Sequence, residues 1–182
     1  MGRMLDSITP EIAAFIADQH LFFVATAPAG PDGHVNVSPK GLDTFTVVDE
    51  HTVAWLDLTG SGIETVAHLR DNGRITVMFC AFEGKPNIIR LYGRGDAVPV
   101  DHPDAEALLA SFPPRTGART VVRVAVERVS TSCGYAVPFM SFAGDRPTLD
   151  EWADRRGIDG IAAYQAEKNA TSIDGLPGLP PR

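Results

Sequence analysis

Two long alternating runs limit what this chain can fold into more than any other feature. Asn87 to Val100 (NIIRLYGRGDAVPV) and Thr120 to Ser132 (TVVRVAVERVSTS) alternate with the period of two that defines a strand. Arg74 to Phe82 (RITVMFCAF) precedes them as a third, joined to the first by a turn through Glu83-Gly84-Lys85-Pro86. Shorter runs come earlier: Leu21 to Ala27, His34 to Ser38, Thr44 to Val48 and Thr52 to Leu58, separated by turn residues such as Asp32-Gly33 and Asp49-Glu50. In His34 to Ser38 the residues Val35 and Val37 share one face, as in a half-buried strand, and Pro39 and Gly41 are expected to interrupt its ladder. Gly93 and Gly95 mark a bend or bulge.

Helices are few. Thr9 is placed to cap a helix over Pro10 to Gln19, a second should run from Ile63 to a stop at Asn72-Gly73, and a short third is expected over Pro103 to Ser111. Thr148 to Lys168 reads as helix with a glycine interruption at Gly157 and Gly160, and Asp174 to Arg182 is too rich in Pro and Gly to be helix or strand. Many strands against few helices indicate a barrel or sandwich. At 182 residues one domain is the expectation.

The net charge of −7 argues against nucleic acid or an anionic membrane as partner, but leaves room for a small anionic ligand held by a local cluster. Cys80 and Cys133 have no CxxC partner, so neither zinc nor a disulfide framework is expected, and a reducing cytoplasmic compartment fits. No apolar run is long enough to span a bilayer. The five histidines show no HxxxH or HExxH spacing, so no metal site is expected. There is no GK[ST] phosphate loop and no G-x-S-x-G elbow.

Three segments could carry chemistry. In Leu56-Asp57-Leu58-Thr59-Gly60-Ser61-Gly62 hydroxyls and glycines open a helix; such a loop either caps the helix or offers its amides to a phosphate. In Asn36-Val37-Ser38-Pro39-Lys40-Gly41, Ser38 and Lys40 either grip a polar ligand or are ordinary loop residues. Arg90 and Arg94 flank Tyr92 on one strand face and must meet either anions or carboxylate partners. Cys133, in the turn SCGYAVP, has no identifiable activating neighbour and reads as a packing residue. No catalytic residue stands out.

Taken in order, the segments FFVATAPAGPDGHVNVSPKG, TVAWLDLTGSG, NGRITVMF, IIRLYGRG and SCGYAVP resemble the flavin-binding split-barrel family related to pyridoxamine 5′-phosphate oxidase. The tail KNATSIDGLPGL is similar to that of a bacterial and fungal subgroup. The resemblance implies a mainly β fold with flanking helices, a split β-barrel that forms a homodimer with FMN at the subunit interface. It also implies a flavin-dependent oxidoreductase acting on a small molecule. It places Ser38 and Lys40 on the isoalloxazine side, Thr59, Ser61 and Gly62 on the phosphate side, and Arg90 at the phosphate or ribityl chain. Where the authentic oxidases carry Ser-Arg-Lys this chain reads Gly60-Ser61-Gly62-Ile63, and their C-terminal arginine motif is replaced by Leu176 to Arg182. The resemblance therefore does not extend to oxidation of pyridoxamine phosphate. It leaves open an 8-hydroxy-5-deazaflavin coenzyme in a reductase, or flavin storage without turnover.

Overall fold

The computed structural model describes residues 2–180. Its strands are β1 (Arg3–Leu5), β2 (Phe22–Thr26), β3 (Asn36–Lys40), β4 (Phe45–Asp49), β5 (Thr52–Leu58), β6 (Arg74–Cys80), β7 (Ile88–Pro99) and β8 (Ala118–Ser132). The helices are α1 (Pro10–Ala17), α2 (Glu64–Asn72), α3 (Glu106–Leu109) and α4 (Thr148–Lys168).

All the strand pairs are antiparallel, in the order β3-β2-β6-β7-β8-β5-β4, with β1 paired to β8 beyond the end of β5. The sheet curls so that Phe22, Val24, Val53, Trp55, Val77, Phe79, Leu91 and Val124 enclose one core. The two edges, β3 and β4, adjoin in sequence but are not paired, so the barrel is open between them. Ile8, Ile12 and Ile16 of the α1 region bury into the same core. A second, smaller cluster, with Ala54, Leu56, Ala105, Phe112 and Val121, covers the other face of β5. β5 is thus buried on both sides.

Local chemistry accounts for the ends of these elements. The Thr9 hydroxyl accepts from the Ile12 amide at 3.4 Å, with Pro10 in the first turn. α1 stops before Gln19, whose amide bonds the Ile16 carbonyl in a tightened last turn. Pro39 lies within β3, opposite Phe23, rather than interrupting it. An edge strand can lose one N–H on its open side without breaking the sheet. The bulge is where the glycines predicted it: register shifts between Tyr92 and Gly93, and a Cβ on Gly93 would run into the Ala125 carbonyl. The third helical segment is a 3-10 turn (Pro103–Ala105) leading into the single turn of α3. The strand β1 has no alternation to announce it; it exists because β8 outruns β5 and leaves an edge to pair.

α2 ends at Gly73 in the left-handed region (φ 72°), and a Cβ there would make only ordinary contacts, the nearest at 3.5 Å from the Gly95 carbonyl. Gly73→Ala should therefore cost about 1 kcal/mol, the conformational term alone. A urea melt reads this directly, and an unchanged midpoint would contradict it.

α4 bends where Gly157 leaves helical geometry (φ 66°, ψ 177°). Across the bend Trp152 and Tyr164 meet edge to face at 5.0 Å, and the Arg156 guanidinium lies over both rings. Arg115 pairs with Asp150, and the Thr116 hydroxyl donates to Asp154 at 2.7 Å, which fastens the first half of α4 to the loop before β8. After α4 the tail doubles back: Gly178 and Leu179 amides bond the Ala170 and Asn169 carbonyls, and Thr171 and Pro177 form an isolated bridge. It is neither helix nor strand through Pro180; Pro181 and Arg182 lie outside the described residues.

Candidate functional site

The strand β5 carries one carboxylate, Asp57, into an otherwise apolar run, and it is fully buried. A buried charge needs partners. Two cations supply them: Lys40 from the β3 edge donates to Oδ1 at 2.9 Å, and Arg119 at the start of β8 donates to Oδ2 at 2.6 Å. The Lys40 pair links β3 to β5, two strands that do not pair through their backbones. Burial works to raise the Asp57 pKa, but the charges and hydrogen bonds of Arg119 and Lys40 outweigh it and bring the group down to about 2.

Arg119 continues the network toward the loop after β5. Its Nη1 donates to the Gly62 carbonyl and to Asn169 Oδ1, both at 2.9 Å. Asn169 spends its other end on the Gly60 carbonyl at 2.9 Å, and Gln165 donates to the Thr59 hydroxyl at 2.7 Å. Arg70 of α2 donates to the Gly178 carbonyl, and the Ile173 amide bonds Glu64 at 3.2 Å. Asp174 accepts both the amide and Nδ1 of His34, at 2.8 and 2.7 Å. The tail thus clamps the Thr59–Gly62 loop, the start of α2 and the turn before β3 together.

A polar chain lies next to this clamp. The Ser38 hydroxyl donates to Asn36 Oδ1 at 3.0 Å, and Asn36 Nδ2 donates to the Thr26 and Thr65 hydroxyls at 3.2 and 3.1 Å. The Thr26 hydroxyl in turn meets His68 Nδ1 at 3.0 Å. His68 is fully buried, and its Nε2 has no hydrogen-bond partner among the described residues. Burial lowers its pKa, while the carboxylates of Asp174, Glu64 and Asp71 pull the other way.

These contacts explain an inversion in β3. Its polar residues Asn36, Ser38 and Lys40 turn inward, while Val35 and Val37, expected on a buried face, are 71% and 63% exposed. They stand on the outer face of the sheet. One row there runs Pro39, Phe23, Met78, Arg90, Ser130 and Met4 through successive pairs, and the next runs Val37, Ala25, Thr76, Tyr92 and Arg128. Arg90 donates to Ser132 at 3.1 Å on this face.

The sequence-derived candidates therefore fall into three places. Lys40 and Ser38 face inward. Thr59 is buried with its hydroxyl committed to Gln165, whereas Ser61 and Gly62 are exposed and the Ser61 hydroxyl makes no bond among the described residues. Arg90 stands across the sheet from Lys40, so the chain does not bring all six into a single cradle. Lys40 and Asp57 line a cavity of about 670 Å³ together with residues between Phe142 and Arg155. No group of three or more His, Cys, Asp or Glu side chains among the described residues is arranged to hold a metal ion. No helix among them is long and apolar enough to cross a membrane.

Residues 8–133 match the family model described as pyridoxamine 5′-phosphate oxidase. The chain belongs to this family. It is 37% identical over 198 aligned positions to the pyridoxamine 5′-phosphate oxidase family protein ustO of Aspergillus flavus, covering 98% of this chain and 78% of that one. Among solved structures it is similar to HupZ of Group A Streptococcus, with a TM-score of 0.52 and 25% identity over 67% of this chain and 91% of that one. It is also similar to a candidate pyridoxamine 5′-phosphate oxidase from Lactobacillus delbrueckii, with a TM-score of 0.54 and 22% identity over 69% and 94%. The antiparallel sheet with its open seam is the split barrel of these structures.

Asp57, Arg119, Gln165 and Asn169 did not stand out in the sequence as site residues. Asp57 gave one readable signal: a carboxylate inside TVAWLDL cannot be buried without cations. Nothing local says that one of them is Arg119, or that the tail completes the loop.

Proposed function

We propose that two copies of this chain pair through the outer face of β3, β2 and β6 and hold a flavin, FMN, at the interface, as an oxidoreductase of a small molecule. The observation that carries the reading is the inverted edge strand: Val35 and Val37 face outward while their polar neighbours are used inside. An exposed apolar strip on an unpaired edge is a surface suited to a partner. Family membership makes a second copy the natural partner.

The residues available suit a flavin in part. Ser61 offers an unspent hydroxyl, and the loop amides at the start of α2 lie at the positive end of its dipole. Lys40 gives one hydrogen bond to Asp57, so its ammonium keeps further protons for a ring atom. Thr59 does not fit the phosphate role, because its hydroxyl is taken by Gln165; its part is to set the shape of the loop. Arg90, on the outer face, belongs with the surface that meets the second protomer.

A bound flavin supplies the electron transfer itself. The chain's own part is to orient the ring and to hold a positive charge near it. Lys40 does the latter, and Asp57, fixed by Arg119, holds the ammonium in place. The deazaflavin coenzyme makes the same demands on these groups, and mass spectrometry of the released ligand separates the two.

Val37→Asp places a charge on a residue already exposed, so the fold should survive while pairing does not. The expected result is a monomer by sedimentation and at least about a tenfold loss of FMN affinity, read in the visible flavin bands, for the loss of a shared interface. A variant that stays dimeric and binds FMN as before would remove this face from the proposal. A wild-type protein that gains no flavin absorbance on mixing would remove the cofactor.

A further inference from the structure

The end of β7 and the turn after it, the second half of α4 and the tail line a second hollow, of about 1010 Å³. That is the upper end of the range for small-molecule sites. Ala162 and Ala166 share one face of α4 with Gln165, and their short side chains leave the room. None of Ser38, Lys40, Thr59, Ser61, Gly62 and Arg90 lines it, so it is separate from the flavin candidates.

Two polar side chains of this lining are buried and incompletely used. Gln165, 4% exposed, gives Nε2 to the Thr59 hydroxyl, but its buried Oε1 accepts nothing among the described residues. Arg119, also 4% exposed, spends Nε on Asp57 and Nη1 on Gly62 and Asn169, while Nη2 makes no hydrogen bond among the described residues. Asp57 answers Lys40 as well as Arg119, so one carboxylate stands against two cations and the trio keeps a positive charge. Bonds on the backbone hold these groups together. Asn169, which accepts from Arg119, gives its amide to the Gln165 carbonyl and accepts the Leu179 amide. The adjoining Gly178 carbonyl accepts from Arg70, which also lines the hollow. Asp101 is the one carboxylate among the described lining residues.

We infer that this hollow binds a small oxyanion that also carries a hydroxyl, its charged oxygens toward Arg119 and Arg70 and its hydroxyl hydrogen toward Gln165 Oε1. A buried guanidinium with unspent N–H groups calls for an acceptor, and a buried carbonyl with nothing to accept calls for a donor. One ligand group meets both demands only if it has both functions. Phosphate does at neutral pH, since it keeps at least one P–OH, and so does a hydroxy acid. Sulfate and a plain carboxylate would leave Gln165 Oε1 unmatched.

Calorimetric titration of the purified full-length protein at neutral pH tests this in two arms, phosphate against sulfate and lactate against propionate. In at least one arm the hydroxyl-bearing member should bind about tenfold tighter than its twin, the usual consequence of leaving one buried acceptor unpaired. The arm that shows the preference says whether the site takes a phosphate or a hydroxy acid. Gln165→Met should remove most of the preference. Because that variant also loses the Thr59 bond, Ala166→Phe is the second: Ala166 is exposed and fills the hollow without touching a hydrogen bond, so it should fold normally and abolish binding. Equal affinities within both pairs, no binding in either arm, or binding undiminished in Ala166→Phe would overturn the inference. It does not rest on the flavin reading. Added FMN should leave the titration unchanged, and competition between the two would assign the anion to the flavin's site instead.

Discussion

Asp57→Asn should lower the stability of this protein by about 3–5 kcal/mol, the usual consequence of removing one member of a buried ionic group. The amide can accept from Lys40 or Arg119, but it no longer balances either charge, and both cations are left in a largely closed site. The mutation also changes the acid limb of the stability curve. In the folded chain the Asp57 pKa is about 2, below its ordinary 3.8. Its contribution, about 2 kcal/mol from that difference, is complete above about pH 4 and is lost as pH falls through 2. Denaturant melts between pH 2 and 5 should show that slope in the wild type and a flatter one in the variant. Parallel slopes would mean that Asp57 is not the group held down by Lys40 and Arg119.

Asn169→Ala should cost roughly 2–4 kcal/mol, because it strands two buried partners at once. Asn169 is fully buried, and its amide receives Arg119 at one end and gives to the Gly60 carbonyl at the other. Without it, among the described residues, the Thr59–Gly62 loop keeps only the Gln165 bond from the C-terminal segment. Hydrogen exchange should quicken in residues 59–66 and 169–179 together while β6 and β7 stay protected. Exchange confined to the tail would show that the loop stands without it.

Much of the fold could be read from the sequence because its long strands repeat with period two and its turns carry the residues that turns require. The bulge at Gly93 and the stop at Gly73 were legible for the same reason. Alternation shows which residues share a face, but not which face is inside. Around β3 the shared face of Val35 and Val37 is the apolar one, yet Asn36 and Lys40 take the interior because Thr26, Thr65 and Asp57 stand there as partners. The candidate residues at the loop were legible as residue types. Their fates were not, since Thr59 is claimed by Gln165 and Gly62 by Arg119, both distant in sequence. The cavity was illegible for a similar reason: part of its lining comes from residues 142–146, between β8 and α4, which have no periodicity to read.

The clamp joins residues 106 to 109 positions apart, Thr59 to Gln165 and Gly60 to Asn169. On the ribosome, the barrel strands emerge and can begin to pair before the segment that finishes the loop has been made. The loop is therefore completed only after the barrel strands have been made, and a polypeptide cut short before Gln165 would keep those strands but lack the contacts that hold the loop.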